Sequence, residues 1–261
     1  NSTIKNSLDN CQKELHKWGA ANQVAFDASK ESQHVLSSSD PLGSSFKLLG
    51  VPFDTELSMA GAVSEIVSAA GWKLRTLLRT RRFYTDADLI VLYKAHLLSY
   101  LEYRTPAIYH ATRAVLSRLD TVQSRFLKDI GVDEVTALVH FHLAPLPTRR
   151  DIAMLGLVHK TLLGKGPEQF KDFFRPDPHH PGKLIDPRLC SKSPLIKRSA
   201  MGLVALYNML PHKVVSLKDV SAFQKALQEI VAKCATSGFS KWPEVLSPRL
   251  PLATHPLASF S

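Results

Sequence analysis

Cysteine is nearly missing from this chain. There are 3 in 261 residues. Cys11, Cys190 and Cys234 lie far apart and no Cys-x-x-Cys pair occurs, which excludes a disulfide framework and a cysteine-based zinc site. Long hydrophobic runs are missing too. No stretch approaches the roughly 18 apolar residues that span a bilayer, so no integral membrane protein is expected. Acidic residues are in deficit, 23 Asp+Glu against 33 Lys+Arg, for a net charge of +10. Neither a Gly-x-Ser-x-Gly elbow nor a phosphate-binding P-loop occurs, and Gly164-Lys165-Gly166 is too short to replace one. The segment after Asn1 has no apolar core of a signal peptide. An intracellular location, nuclear or cytoplasmic, is the expectation.

What is present is an ordinary globular composition, 44% hydrophobic, which excludes wholesale disorder. The charge is unevenly placed. Residues 1–70 hold 5 Lys+Arg and 8 Asp+Glu, residues 71–130 hold 11 and 5, and the remainder holds 17 and 10. A basic remainder behind a mildly acidic start points to a polyanionic partner.

Apolar spacing predicts a mainly α protein. A helix over residues 5–18 presents Leu8, Cys11, Leu15 and Trp18 on one face, with Gly19 as its stop. About three short strands follow: near Val24–Asp27, Glu31–Leu36 and Phe46–Phe53. Helices then run from Met59 to Leu78, from Asp86 towards Pro106, from Arg113 to Ile130 with Gly131 as C-cap, and from Thr148 to Leu162. Residues 171–200, with Pro176, Pro178, Pro181, Pro187 and Pro194, read as an unpacked basic linker. One or two further helices lie in 201–261, before a tail broken by Pro243, Pro248, Pro251 and Pro256. The expected divisions are 1–55, 56–170, 171–200 and 201–261.

The sharpest charge signal is Gly71-Trp72-Lys73-Leu74-Arg75-Thr76-Leu77-Leu78-Arg79-Thr80-Arg81-Arg82. No acid stands between Glu65 and Asp86. At 100° per residue Arg75, Arg79 and Arg82 share a face away from the apolar stripe. Such a face is equally the pattern of a solvated helix and of a phosphate-binding one, with Trp72, Phe83 and Tyr84 as stacking groups. Arg118, Arg125 and Lys128 form a second basic face. His96 is expected as a core histidine. His140-x-His142 and His179-His180 lack companions for a metal site, and no metal ligands are assigned.

Read in order, several segments resemble the reverse transcriptase of LINE-type (non-LTR) retrotransposons, from just after its catalytic aspartates to its C-terminal end. They are Leu8…Leu15-x-x-Trp18…Asn22…Phe26-x-x-x-Lys30; Phe46-Lys47-Leu48-Leu49-Gly50-Val51-Pro52-Phe53-Asp54; Ala70…Leu74-x-x-Leu77…Arg79; and Tyr93…Leu97…Leu101-Glu102-Tyr103. They continue with Leu116-x-x-Leu119-Asp120-x-x-Gln123-x-x-Phe126-Leu127, then Leu143-Ala144-Pro145-Leu146-Pro147-Thr148-Arg149-Arg150, and Tyr207-Asn208-Met209-Leu210-Pro211 before Phe223. The set covers about residues 8–228. Ser99 stands where the family carries Pro, and Tyr207 where it carries Trp.

The resemblance implies a small α+β palm remnant, a helical thumb-like bundle and a basic C-terminal extension. Lys30 would match the palm lysine that donates a proton to pyrophosphate, and Leu49, Gly50 and Val51 the primer grip. Lys73, Arg75, Arg79, Arg81, Arg82, Arg118, Arg125 and Lys128 would hold RNA template and DNA primer. The rest of palm and fingers would be the protein partner. The family's paired aspartates are absent, and Asp86-Ala87-Asp88 is no substitute. Mg²⁺ would belong to the intact parent polymerase, and this chain alone is expected to be inactive. A non-enzymatic helical module derived from a decayed element is the alternative.

Overall fold

Helix accounts for most of the computed structural model, which describes residues 2–37, 39–186 and 193–259. The chain divides into two compact units, residues 1–62 and 63–261.

In the first unit α1 spans Ser2–Ala21. It runs past Gly19, the expected stop. That glycine is buried because Phe26 folds back onto it. A β-carbon there would collide with the Phe26 ring and the Val24 carbonyl. Leu15 and Trp18, read as an inward face, are 51% and 56% exposed.

The strands expected at 24–27 and 31–36 do not form. Ser29 donates its N–H and hydroxyl to Asp27 Oδ1 at 3.0 and 2.6 Å, closing a local turn. Glu31 is drawn to Gln12 and to His16 on α1. Side-chain bonds thus displace ladder bonds, leaving a 3₁₀ turn at Ala28–Lys30 and one isolated bridge, Val35 to Leu42.

The segment read as a third strand broken at Gly50 and, through the resemblance, as a primer-grip-like hairpin is a hairpin, β1 (Phe46–Leu48) against β2 (Val51–Phe53). Leu49 and Gly50 turn it with φ of 50° and 76°. Two left-handed residues suit the twist of a two-residue hairpin, and glycine supplies one at no steric cost.

Helix α2 (Ala60–Arg79) begins in the last residues of the first unit, and its part in the second unit buries Val63, Ile66, Ala70 and Leu74. Next, α3 (Asp86–Tyr93) opens on a reciprocal cap between Thr85 and Asp88. A π-helical turn at Lys94–Leu98 carries it into α4 (Ser99–Glu102). The extra residue of that turn rotates the faces. Leu97, Leu98 and Leu101 go inward, and His96, expected in the core, is exposed. A short α5 (Thr105–Ile108) precedes α6 (Arg113–Ile130), which has Thr112 as N-cap and, as its sequence predicts, a left-handed Gly131 as C-cap. The Tyr93 ring stacks on Phe126 at 4.3 Å.

Beyond them lie α7 (Glu134–Phe141), α8 (Leu146–Leu162), α9 (Pro194–Arg198), α10 (Val204–Tyr207), α11 (His212–Val215) and α12 (Val220–Thr236). One apolar core joins α8, α10 and α12 to Phe174, Leu184, Trp242, Val245, Leu246 and Leu257. The unpacked-linker reading therefore fails for 171–186, where Phe174 and Leu184 are buried. Pro187 and Cys190 lie outside the described residues. Asn208 fixes this segment by exchanging two 2.8 Å hydrogen bonds with the Leu184 backbone. The tail is irregular, as expected, yet packed. Thr148 donates to the Pro243 carbonyl at 2.8 Å.

Inside this core His159 stacks on Phe223 at 4.0 Å. Its Nε2 meets the Leu217 carbonyl and its Nδ1 the Tyr207 hydroxyl, each at 2.8 Å. A carbonyl only accepts, so Nε2 carries the proton and Nδ1 accepts from Tyr207. Burial lowers the pKa of His159, and likewise of His255, below the usual 6.5. Unfolding below that pH takes up protons. Stability is thus fully present above 6.5 and is lost as the pH falls towards the folded value. Urea unfolding between neutrality and about pH 5 should show this decline. His159→Gln should be less stable at neutral pH and show a shallower decline. An unchanged slope would refute the assignment.

Candidate nucleic-acid interface

The sequence of α2 separates its two sides. Ala70 and Leu74 point inward, and Trp72, Arg75, Thr76 and Arg79 point to solvent. Spacings of three and four residues put Trp72, Arg75 and Arg79 in one row. Trp72 is 65% exposed, a large apolar surface left in water between cations. The row continues into a 3₁₀ turn, Arg81–Phe83, where the Arg82 guanidinium lies 4.7 Å over the exposed Phe83 ring. Every residue from Arg79 to Asp88 is exposed. Among the described residues no acid pairs with Lys73, Arg75, Arg79, Arg81 or Arg82. A cation without a carboxylate keeps its full charge for a ligand.

Arg81 donates to the Asp129 carbonyl at 3.2 Å and so joins this turn to the C-terminus of α6. That contact brings Arg125 and Lys128 to the same end as Arg81 and Arg82. Arg125 is partly engaged by Asp129, 3.8 Å away and solvent-exposed. Arg118 stands ten residues before Lys128 on α6, about 15 Å along the axis. It belongs to a different part of the surface.

A third group was not read from the sequence. Lys73 Nζ lies 5.4 Å from the Tyr100 ring centre, and the Arg104 guanidinium lies 4.5 Å from Tyr100 and 5.9 Å from Tyr103. Tyr103 is 66% exposed. The signal available was Tyr100-Leu101-Glu102-Tyr103-Arg104 itself. The π turn that swings Tyr100 off the apolar stripe hid it.

The first unit carries the remaining assigned residues. Lys30 ends the Ala28–Lys30 turn and pairs with Asp27 at 3.4 Å, its side chain 82% exposed. Leu49 and Gly50 form the hairpin tip, with Leu49 82% exposed, but the Val51 side chain is buried. Asp54 closes the loop after β2. Burial opposes its ionisation, but N–H bonds from Ser58 and Met59 and the Ser58 hydroxyl outweigh burial and hold it below the usual range.

Asp86 and Asp88 do not fit a Mg²⁺ ion. Asp88 Oδ2 accepts from the Thr85 N–H at 3.1 Å and from its hydroxyl at 2.7 Å. No cluster of three or more metal-ligating side chains occurs among the described residues. Asp177 anchors His180 at 2.8 Å and accepts from the His179 N–H, a local turn. His142, left-handed at φ 50°, caps α7. None of the described helices is long and apolar enough to cross a membrane.

Comparison with protein-family models, with curated proteins and with solved structures finds no match.

Proposed function

We propose that this chain is the C-terminal part of a LINE-type reverse transcriptase and that its second unit holds a template–primer duplex without extending it. The observation that carries the reading is the row of Trp72, Arg75 and Arg79, continued by Arg82 and Phe83. It is exposed, has no carboxylate partner among the described residues, and its cations are flanked by flat apolar rings. Guanidinium groups supply fork-shaped donors to phosphate oxygens. Trp72 and Phe83 supply faces for sugars and bases. Phosphates are the same in every sequence, so binding by this face is insensitive to sequence and sensitive to salt.

The resemblance adds the hairpin tip at Leu49–Gly50 as the element closest to the primer strand. The first unit also exposes apolar residues of α1, Leu15 and Trp18, suited to a surrounding palm. The missing aspartates leave this chain no means of holding the metal pair that phosphoryl transfer requires.

Fluorescence anisotropy with a short RNA–DNA duplex is the test. Binding should be measurable at low salt, should weaken log-linearly as salt rises, and should not change when the duplex sequence is scrambled. Primer extension with Mg²⁺ should show no incorporation. Absence of binding at low salt overturns the proposal, and nucleotide incorporation overturns the claim of inactivity.

A further inference from the structure

A second cationic surface lies apart from the α2 face. Four segments converge on it: the start of α6, the chain at Asp186, the end of α9 and the tail near Pro248. They enclose a cleft of about 650 Å³ lined by Thr112, Arg113, Asp186, Lys197, Arg198 and Arg249. Among the described residues four cations face it against one carboxylate.

The guanidinium groups are held in place from behind. Arg249 donates to the Tyr109 and Ala111 carbonyls at 2.9 and 3.1 Å. Arg198 donates through Nε to the His110 carbonyl at 3.0 Å, and among the described residues neither terminal nitrogen of its fork has a hydrogen-bond partner. Consecutive carbonyls at 109, 110 and 111 thus aim two arginines at one cleft. Among the described residues no carboxylate is ion-paired with Lys197, Arg198 or Arg249, and only Arg113 has such a partner, Glu244. Fixed guanidinium donors lose little entropy on binding and match the oxygens of a phosphate.

We propose that this cleft binds a phosphate group, with Arg198 as the forked donor and Lys197 as a point charge. The same chemistry is offered by a terminal phosphate and by a backbone phosphodiester. The inference does not depend on the template–primer reading, because it rests on different residues.

The test uses the full chain and inorganic pyrophosphate at constant ionic strength, followed by calorimetry. Lys197 is exposed and holds no part of the fold together, so Lys197→Gln is the clean variant. Arg198→Lys is the second, keeping charge but removing the fork. Pyrophosphate should bind the unaltered protein, and each variant should weaken it by about tenfold or more. A 5′-phosphorylated oligonucleotide and its 5′-hydroxyl twin then separate the sources. A loss confined to the phosphorylated strand assigns the cleft to a terminal phosphate, and an equal loss for both assigns it to the backbone. Either supports the site. No pyrophosphate binding, or equal binding by all three proteins, overturns it.

Discussion

Replacing Arg249 by methionine should destabilise the second unit by about 4 kcal/mol. The methionine keeps most of the packing volume of the arginine stem, so the loss falls on the polar network. Arg249 is half-buried and carries the Tyr109 and Ala111 carbonyls. Each carbonyl left unpaired costs about 1–3 kcal/mol. The guanidinium also faces Asp151, a fully buried carboxyl that accepts from the Tyr109 hydroxyl at 2.6 Å. Burial raises that carboxyl, the Tyr109 hydroxyl and the charges of Arg150 and Arg249 pull it back, and the balance stands at about 7. Its folded pKa is raised above 3.8, so its contribution is fully present below 3.8 and is lost as pH rises through about 7. Without Arg249 the carboxyl loses a favourable charge, and the variant should suffer more above neutrality than below it. Thermal unfolding by circular dichroism would show a fall of about 8–16 °C for a unit of this size. A fall under about 2 °C, or one independent of pH, would remove Arg249 from the framework.

The network around Arg249 also explains which sequence segments were legible. Several residues of the quoted segments meet as polar partners, some with one another and some with Leu184 and His159 outside those segments. Arg149 binds Glu102 at 2.5 and 3.1 Å, and Arg150 binds Asp120 at 2.7 Å. Gln123 donates to the Ala144 carbonyl at 3.0 Å. Asn208 holds Leu184, and Tyr207 donates to His159. These pairs are 21 to 48 residues apart in sequence. A reading of local patterns registers each half as a weak motif and cannot see that the halves fit.

Helices were the legible part. The stripe of α6 and its Gly131 cap are local, and both were readable from the sequence. The strands expected at 24–27 and 31–36 were misread because Asp27, Glu31 and Gln12 spend their side chains on turn and helix contacts that no alternation of apolar residues encodes. Prolines misled in the other direction. They break regular structure between 171 and 186, but a broken backbone still packs when Asn208 satisfies it from the side. Of the candidate interface, Arg75, Arg79 and Arg82 were readable from a 100° wheel. Arg104 and Tyr103 were not, since their place depends on one inserted residue in the π turn.

The largest effect on binding should come from replacing Arg75, Arg79 and Arg82 together by alanine. All three are exposed, and alanine has the best helix propensity, so α2 should persist. If each arginine neutralises one phosphate, the slope of log affinity against log salt should become shallower by about 2.7. Near physiological salt that corresponds to a loss on the order of a hundredfold. The lysine triple variant separates charge from geometry. It should recover most of the slope, because charge sets counterion release, but only part of the affinity, because lysine lacks the fork. Trp72→Ala should act differently again. It removes a stacking face worth about 1–3 kcal/mol and no charge, so affinity should fall at every salt concentration with the slope unchanged. A triple alanine variant that binds duplex with unaltered affinity and slope would mean that α2 is a solvated surface and nothing more. A slope change without a Trp72 effect would leave a purely electrostatic grip, one that reads phosphates and ignores bases.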